Sequence, residues 1–132
     1  MNTAACFFPF DLFGHSGTRQ GAELLADAFQ EMLADNKLEK QPTRARAYAS
    51  KARFQEFTFD TLDAYQTWRA DARAAIREVW QRGDFLLWVA GNHLGVLPVY
   101  DELAKRNAVV IQFDAHLDIY NLSDCTSESC RR

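Results

Sequence analysis

Two continuous apolar runs constrain this chain more than any other feature: Phe85 to Ala90, bounded by Gly83 and Gly91, and Ala108 to Phe113. Each reads as a strand buried on both faces. The stretch between them reads as a helix, with Val96, Leu97, Tyr100, Leu103 and Ala104 inward and Asp101, Glu102, Lys105 and Arg106 outward. Pro98 falls in its first turn, where proline is tolerated. Strands joined through a helix run parallel with a right-handed crossover, so both end at the same edge of one sheet.

The upstream chain repeats the alternation of strand and helix. Cys6-Phe7-Phe8-Pro9-Phe10 is an apolar first strand, with Pro9 marking its end or an edge position. A loop of glycines and small polar residues leads into a helix from about Thr18 to Asp35. Its inward positions are Ala22, Leu25, Ala28, Phe29, Met32 and Leu33, and Asn36 is placed to end it. The basic stretch 37–53 reads as a solvated connection, and Phe54 to Phe59 as a short strand. Asp60 or Thr61 can cap the next helix, whose apolar positions run Leu62, Tyr65, Trp68, Ala72, Ile76, Val79 and Trp80 until Gly83 stops it. Residues 120–132 have no periodicity and few apolar side chains, so they are expected to be a loop or frayed tail. Alternating elements of this kind predict one α/β domain over residues 1–132.

Composition narrows the class of function. With 48% hydrophobic and 25% charged residues and a formal charge of -3, the chain is that of an ordinary globular protein, and nucleic acid is not the expected partner. The N-terminus lacks the pattern of a secretory signal, and no segment reaches the length of a membrane span, so a cytoplasmic protein without membrane partners is expected. The three cysteines form no CxxC pair; Cys125 and Cys130 read as free thiols in a polar tail, and Cys6 belongs to the first strand.

The chemistry concentrates just past the two apolar runs. Asp114, His116 and Asp118 alternate along Asp114-Ala115-His116-Leu117-Asp118, and an extended chain points alternate side chains to one side. His93 follows the first run in Gly91-Asn92-His93. The topology therefore gathers His93, Asp114, His116 and Asp118 at the carboxyl edge, where open α/β sheets hold their ligands. Imidazole plus carboxylate, without thiolate, suits manganese or another divalent first-row metal, with zinc also admissible. Such an ion favours the ionised form of neighbouring carboxylates and lowers the pKa of a bound water from 15.7 to about 7.

These residues resemble the ureohydrolases, the family of arginase, agmatinase and formimidoylglutamase. Ala90-Gly91-Asn92-His93 is similar to the family's Gly-Gly-Asp-His segment, and Phe113-Asp114-Ala115-His116-Leu117-Asp118 to its Asp-Ala-His-x-Asp signature. Phe8-Pro9-Phe10-Asp11 and Gly17-Thr18-Arg19-Gln20-Gly21 resemble its N-terminal segment, with a Gly-x-Arg-x-Gly turn before the first helix. The resemblance implies an arginase-like three-layer α/β/α fold with a parallel sheet and a binuclear Mn2+ centre that hydrolyses a guanidinium or related amidine C–N bond. It implies that His93 and Asp118 bind one metal and His116 the other, that Asp114 bridges both, and that the hydroxide these four residues hold attacks the amidine carbon.

The chain departs from the family at Asn92, where Asp is usual, and at Leu94, where Ser is common. No Asp-x-Asp pair follows Asp118, although the family uses one to complete both metal sites. The expectation is a truncated, N-terminal portion of a ureohydrolase acting on a small guanidino or amidine substrate, with one or weakly held metal possible. An exposed sheet edge is then expected to promote homo-oligomers or self-association. The alternative reading is a non-catalytic metal-binding or assembly module.

Overall fold

The computed structural model describes residues 1–12, 17–38 and 50–111. Its centre is a three-stranded parallel sheet: β1 (Thr3–Phe8) lies between β2 (Ala52–Glu56) and β3 (Phe85–Ala90). Ala5 of β1 stands opposite both Phe54 and Leu87, so the strands are in matched register and their carboxyl ends share one edge. Helix α1 (Thr18–Leu38) covers one face, while α2 (Leu62–Gln81) and α3 (Leu97–Leu103) lie on the other side. The α/β/α layering and the parallel sheet agree with the expected fold.

β1 holds the layers together because both of its faces are buried. Ala5 and Phe7 pack with Ala26, Phe29 and Phe54 beneath α1. Ala4 and Cys6 pack with Val79 of α2, and Phe8 and Phe10 join Phe59 and Ala72, with Tyr65, Trp68 and Trp88 around them. Phe10 stacks on Trp68 with centroids 4.3 Å apart, and Phe8 meets Trp88 at 5.0 Å. The aromatic spacing of the second long helix is thus core packing, supporting the loops at the carboxyl edge.

Local signals set the ends of α2. The Thr61 side chain accepts the Ala64 N–H at 3.2 Å, choosing between the two expected caps. At the other end Gly83, at φ +72°, donates to the Trp80 carbonyl while Asp84 donates to that of Val79. This Schellman pairing needs the left-handed backbone that glycine adopts without steric cost.

The structure corrects the reading of the two apolar runs. Among the described residues β3 is an edge strand, with Phe85 54% and Leu87 40% exposed, and it is not a strand buried on both faces. Residues 108–111 form no strand, and Val109 and Ile111 are 91% and 76% exposed; residues 112 and 113 lie outside the described part. An apolar strand is stabilised by cover on both faces. Among the described residues, no layer extends beyond β3 to supply it. The same overhang explains α1: Ala26 reaches the core, whereas Leu25, Ala28 and Met32, expected inward, are exposed. Helical geometry puts Leu25 and Met32 on the flank opposite Gln30, which reaches β2 through Glu56, and hence on the side of β3.

Two glycines make opposite predictions. A Cβ on Gly91 would lie 2.5 Å from the Phe10 carbonyl oxygen, whereas one on Gly21, inside α1, would meet nothing within 4 Å. Gly91→Ala is expected to cost about 1–3 kcal/mol through backbone displacement, and Gly21→Ala to stabilise by about 0.5–1 kcal/mol through helix propensity. Denaturant unfolding of the two variants measures both signs.

Candidate metal centre at the carboxyl edge

The carboxyl edge is built by three loops leaving the sheet. After β1, the Phe8 carbonyl accepts the N–H of Phe10 at 2.7 Å, making a tight turn around Pro9. It also accepts the Gly91 N–H at 3.0 Å, and Asn92 donates its backbone N–H to Phe10 at 3.0 Å. The pairing of β1 and β3 therefore continues past both strands. Trp88 donates its indole N–H to the Gly95 carbonyl at 2.9 Å, pulling the following 3₁₀ turn (His93–Val96) against the sheet.

That turn presents His93, exposed to solvent, directly past the end of β3. His93 thus lies just past the carboxyl end of β3. Asp114, His116 and Asp118 lie outside the described residues, and no group of three potential metal-binding side chains occurs among the described residues. The full candidate donor set, the two imidazoles of His93 and His116 and the two carboxylates of Asp114 and Asp118, is hard and borderline in character, and this fits a divalent first-row ion.

Arg19, at the start of α1, joins two more parts of the edge. It donates to Glu23 at 2.7 Å, to the Phe59 carbonyl at 3.3 Å and to Asp60 at 3.3 Å. The hydrogen bond to Glu23, with the acidic charge there, raises the guanidinium pKa above its ordinary value. Arg19 thus anchors the loop after β2 to α1. Cys6 contributes no reactive thiol to the edge: it is wholly buried, and burial pushes its pKa up to about 11.

A second network lies behind the His93 turn. Glu102, expected on the outer face of α3, is 4% exposed and faces α2. It accepts from Lys105 at 2.8 Å, Arg73 at 2.8 Å and Arg77 at 3.0 Å. Asp101 receives both ends of the Arg69 guanidinium at 2.6 Å. The correction follows from charge: Arg69, Arg73 and Arg77 recur at four-residue steps on α2 and draw the acids of α3 inward. That spacing is visible in the sequence, but its partner becomes evident only when the helices are side by side. The hydrogen bond from Lys105, then that from Arg73, holds Glu102 down to about 2. Ala104, expected inward, falls past the end of α3 and is exposed.

The Arginase family profile matches residues 3–130, almost the entire chain. The chain belongs to the arginase family. No curated protein and no solved structure matches this arginase-family chain. Membership places it among metal-dependent hydrolases of the ureohydrolase type at the level of the family. No helix among the described residues of this family member is long and apolar enough to cross a membrane.

The Glu102 network makes stability acid-sensitive. Its carboxylate is lowered in the folded protein from an ordinary value of 4.5 to about 2, so its contribution is complete above about pH 5. It is lost as the pH falls towards 2, and Asp101, lowered by the Arg69 hydrogen bond, acts in the same direction. Thermal melts from pH 7 to 2 are expected to show Glu102→Gln with a lower midpoint at neutral pH and a flatter acid limb. An unchanged limb would remove Glu102 from that role.

Proposed function

We propose that this chain is a ureohydrolase-type hydrolase that binds Mn2+ with His93, Asp114, His116 and Asp118 and cleaves the C–N bond of a small guanidinium or related amidine. The carrying observation is the presentation of His93 at the carboxyl edge, immediately after β3, in a chain matched by the family profile over residues 3–130. The alternation of Asp114, His116 and Asp118 supplies the remaining donors in the segment that the family resemblance singles out.

Bound divalent ions would supply Lewis-acid activation of water near neutral pH. The residues of the chain do the remaining work. His93 and His116 offer neutral imidazole nitrogens, while Asp114 and Asp118 offer carboxylate oxygens and offset cationic charge. Asp114 would offer its carboxylate to the bound ions. The Phe10 and Gly95 contacts limit the freedom of the turn bearing His93 and so reduce the ordering cost of ligand binding.

Metal analysis after dialysis against Mn2+, combined with assays for urea and ammonia release from guanidino compounds, tests this reading. The expected result is bound Mn2+ with turnover, and at least a tenfold loss of both in His93→Ala, Asp114→Ala and His116→Ala, as roughly expected for deleting a ligand. Bound metal without turnover would support a non-catalytic metal-binding module instead. Absence of Mn2+ binding would overturn both.

The side of β3 that is open among the described residues favours a second property, pairing with another copy of this chain. Its sequence, Phe85-Leu86-Leu87-Trp88-Val89-Ala90, carries no charge or proline to blunt an open edge. An isologous pair would extend one sheet through two β3 strands and cover Phe85 and Leu87. Sedimentation velocity is expected to show concentration-dependent dimers, and Leu87→Lys to return the chain to a monomer. A monomer at every concentration would contradict this pairing.

A further inference from the structure

Asn92 occupies a position that the metal chemistry does not require, yet its side chain connects two loops of the carboxyl edge. Its Oδ1 accepts the Gly95 N–H at 3.3 Å, capping the turn that starts at His93. Its Nδ2 donates to the Leu12 carbonyl at 3.2 Å, across to the loop after β1. Only one orientation of the amide satisfies both contacts, because the first needs an acceptor and the second a donor. The backbone N–H of the same residue binds Phe10. One of these three bonds closes the His93 turn on itself, and the other two stitch that turn to the chain leaving β1.

We propose that Asn92 is a positioning residue: its amide latches the His93 turn onto the loop following β1 and thereby sets where His93 stands at the carboxyl edge. The metal-binding consequence rests on the hydrolase reading above; the latch itself does not. An aspartate here would keep the cap but could only accept hydrogen bonds, so its carboxylate would face the Leu12 carbonyl without a donor. This chain therefore joins its two edge loops through a donor that the resembling family segment, with aspartate at this position, does not carry.

The experiment separates cap from latch in the metal-free protein. Asn92→Ser retains a short capping oxygen, stays neutral and cannot reach Leu12; Asn92→Asp retains the cap, with a charge and no donor; Asn92→Ala removes both functions. Amide hydrogen exchange by NMR then reads two bonds. The Gly95 amide, shared between the Asn92 side-chain oxygen at 3.3 Å and the Asn92 backbone carbonyl at 3.0 Å, reports the capped turn, and the amide of position 92, bound to the Phe10 carbonyl, reports the latch.

With the latch in place, Asn92→Ser and Asn92→Asp leave Gly95 exchange within about twofold of the unsubstituted chain but speed exchange at position 92 by roughly fivefold or more. Asn92→Ala speeds both. Calorimetric titration with MnCl2 is expected to show binding to Asn92→Ser weakened by about threefold or more at an unchanged unfolding midpoint. Unchanged exchange at position 92 in both Ser and Asp variants would overturn the proposal and leave Asn92 as a cap. Failure of the unsubstituted chain to bind Mn2+ would overturn the hydrolase reading, while the exchange result still decides the latch.

Discussion

The approach of the Gly91 backbone to the Phe10 carbonyl is the constraint on which the carboxyl edge depends. β3 and β1 remain hydrogen-bonded past their ends, through Gly91 to Phe8 and Asn92 to Phe10, and this close passage leaves no space for a Cβ at residue 91. The turn that follows must therefore begin beside β1. His93 inherits its place from that passage, with the Trp88 indole holding Gly95 from behind.

Two kinds of contact on the α2 side of the sheet support this edge by different physics. Under the loops, the packed rings of Phe8, Phe10, Phe59, Trp68 and Trp88 remove a large apolar surface from water and make the base rigid. Farther out, α3 carries the His93 turn onward and is tied to α2 through Glu102 and Asp101. Glu102 is buried, but Arg73, Arg77 and Lys105 keep partial contact with solvent, so the cluster avoids the full desolvation cost of a buried ion pair.

Local rules made much of this fold legible in the sequence. Thr61 and Gly83 bound α2 because capping and left-handed turns depend on neighbouring residues, and His93 follows β3 because Gly91 ends an apolar run. Burial was less legible, since it depends on what lies alongside. An apolar run such as Phe85–Ala90 does not announce whether a strand will cover its second edge, and Leu25 and Met32 match the helical period yet overhang the sheet. Glu102 looked like a surface acid until α2 supplied its three-arginine row. Of the candidate ligands, His93 lies just past the end of β3; Asp114, His116 and Asp118 belong to a segment outside the described residues.

The central claim, that Mn2+ is held at the carboxyl edge by His93 together with the Asp114 to Asp118 segment, is tested most directly by paramagnetic broadening. In NMR spectra recorded with substoichiometric Mn2+, the account predicts selective loss of the His93 and His116 ring signals and of the Gly95 amide. Signals from Thr3 and Asp84, at the opposite edge of the sheet, should persist. Uniform broadening, or broadening centred away from His93, would contradict the account.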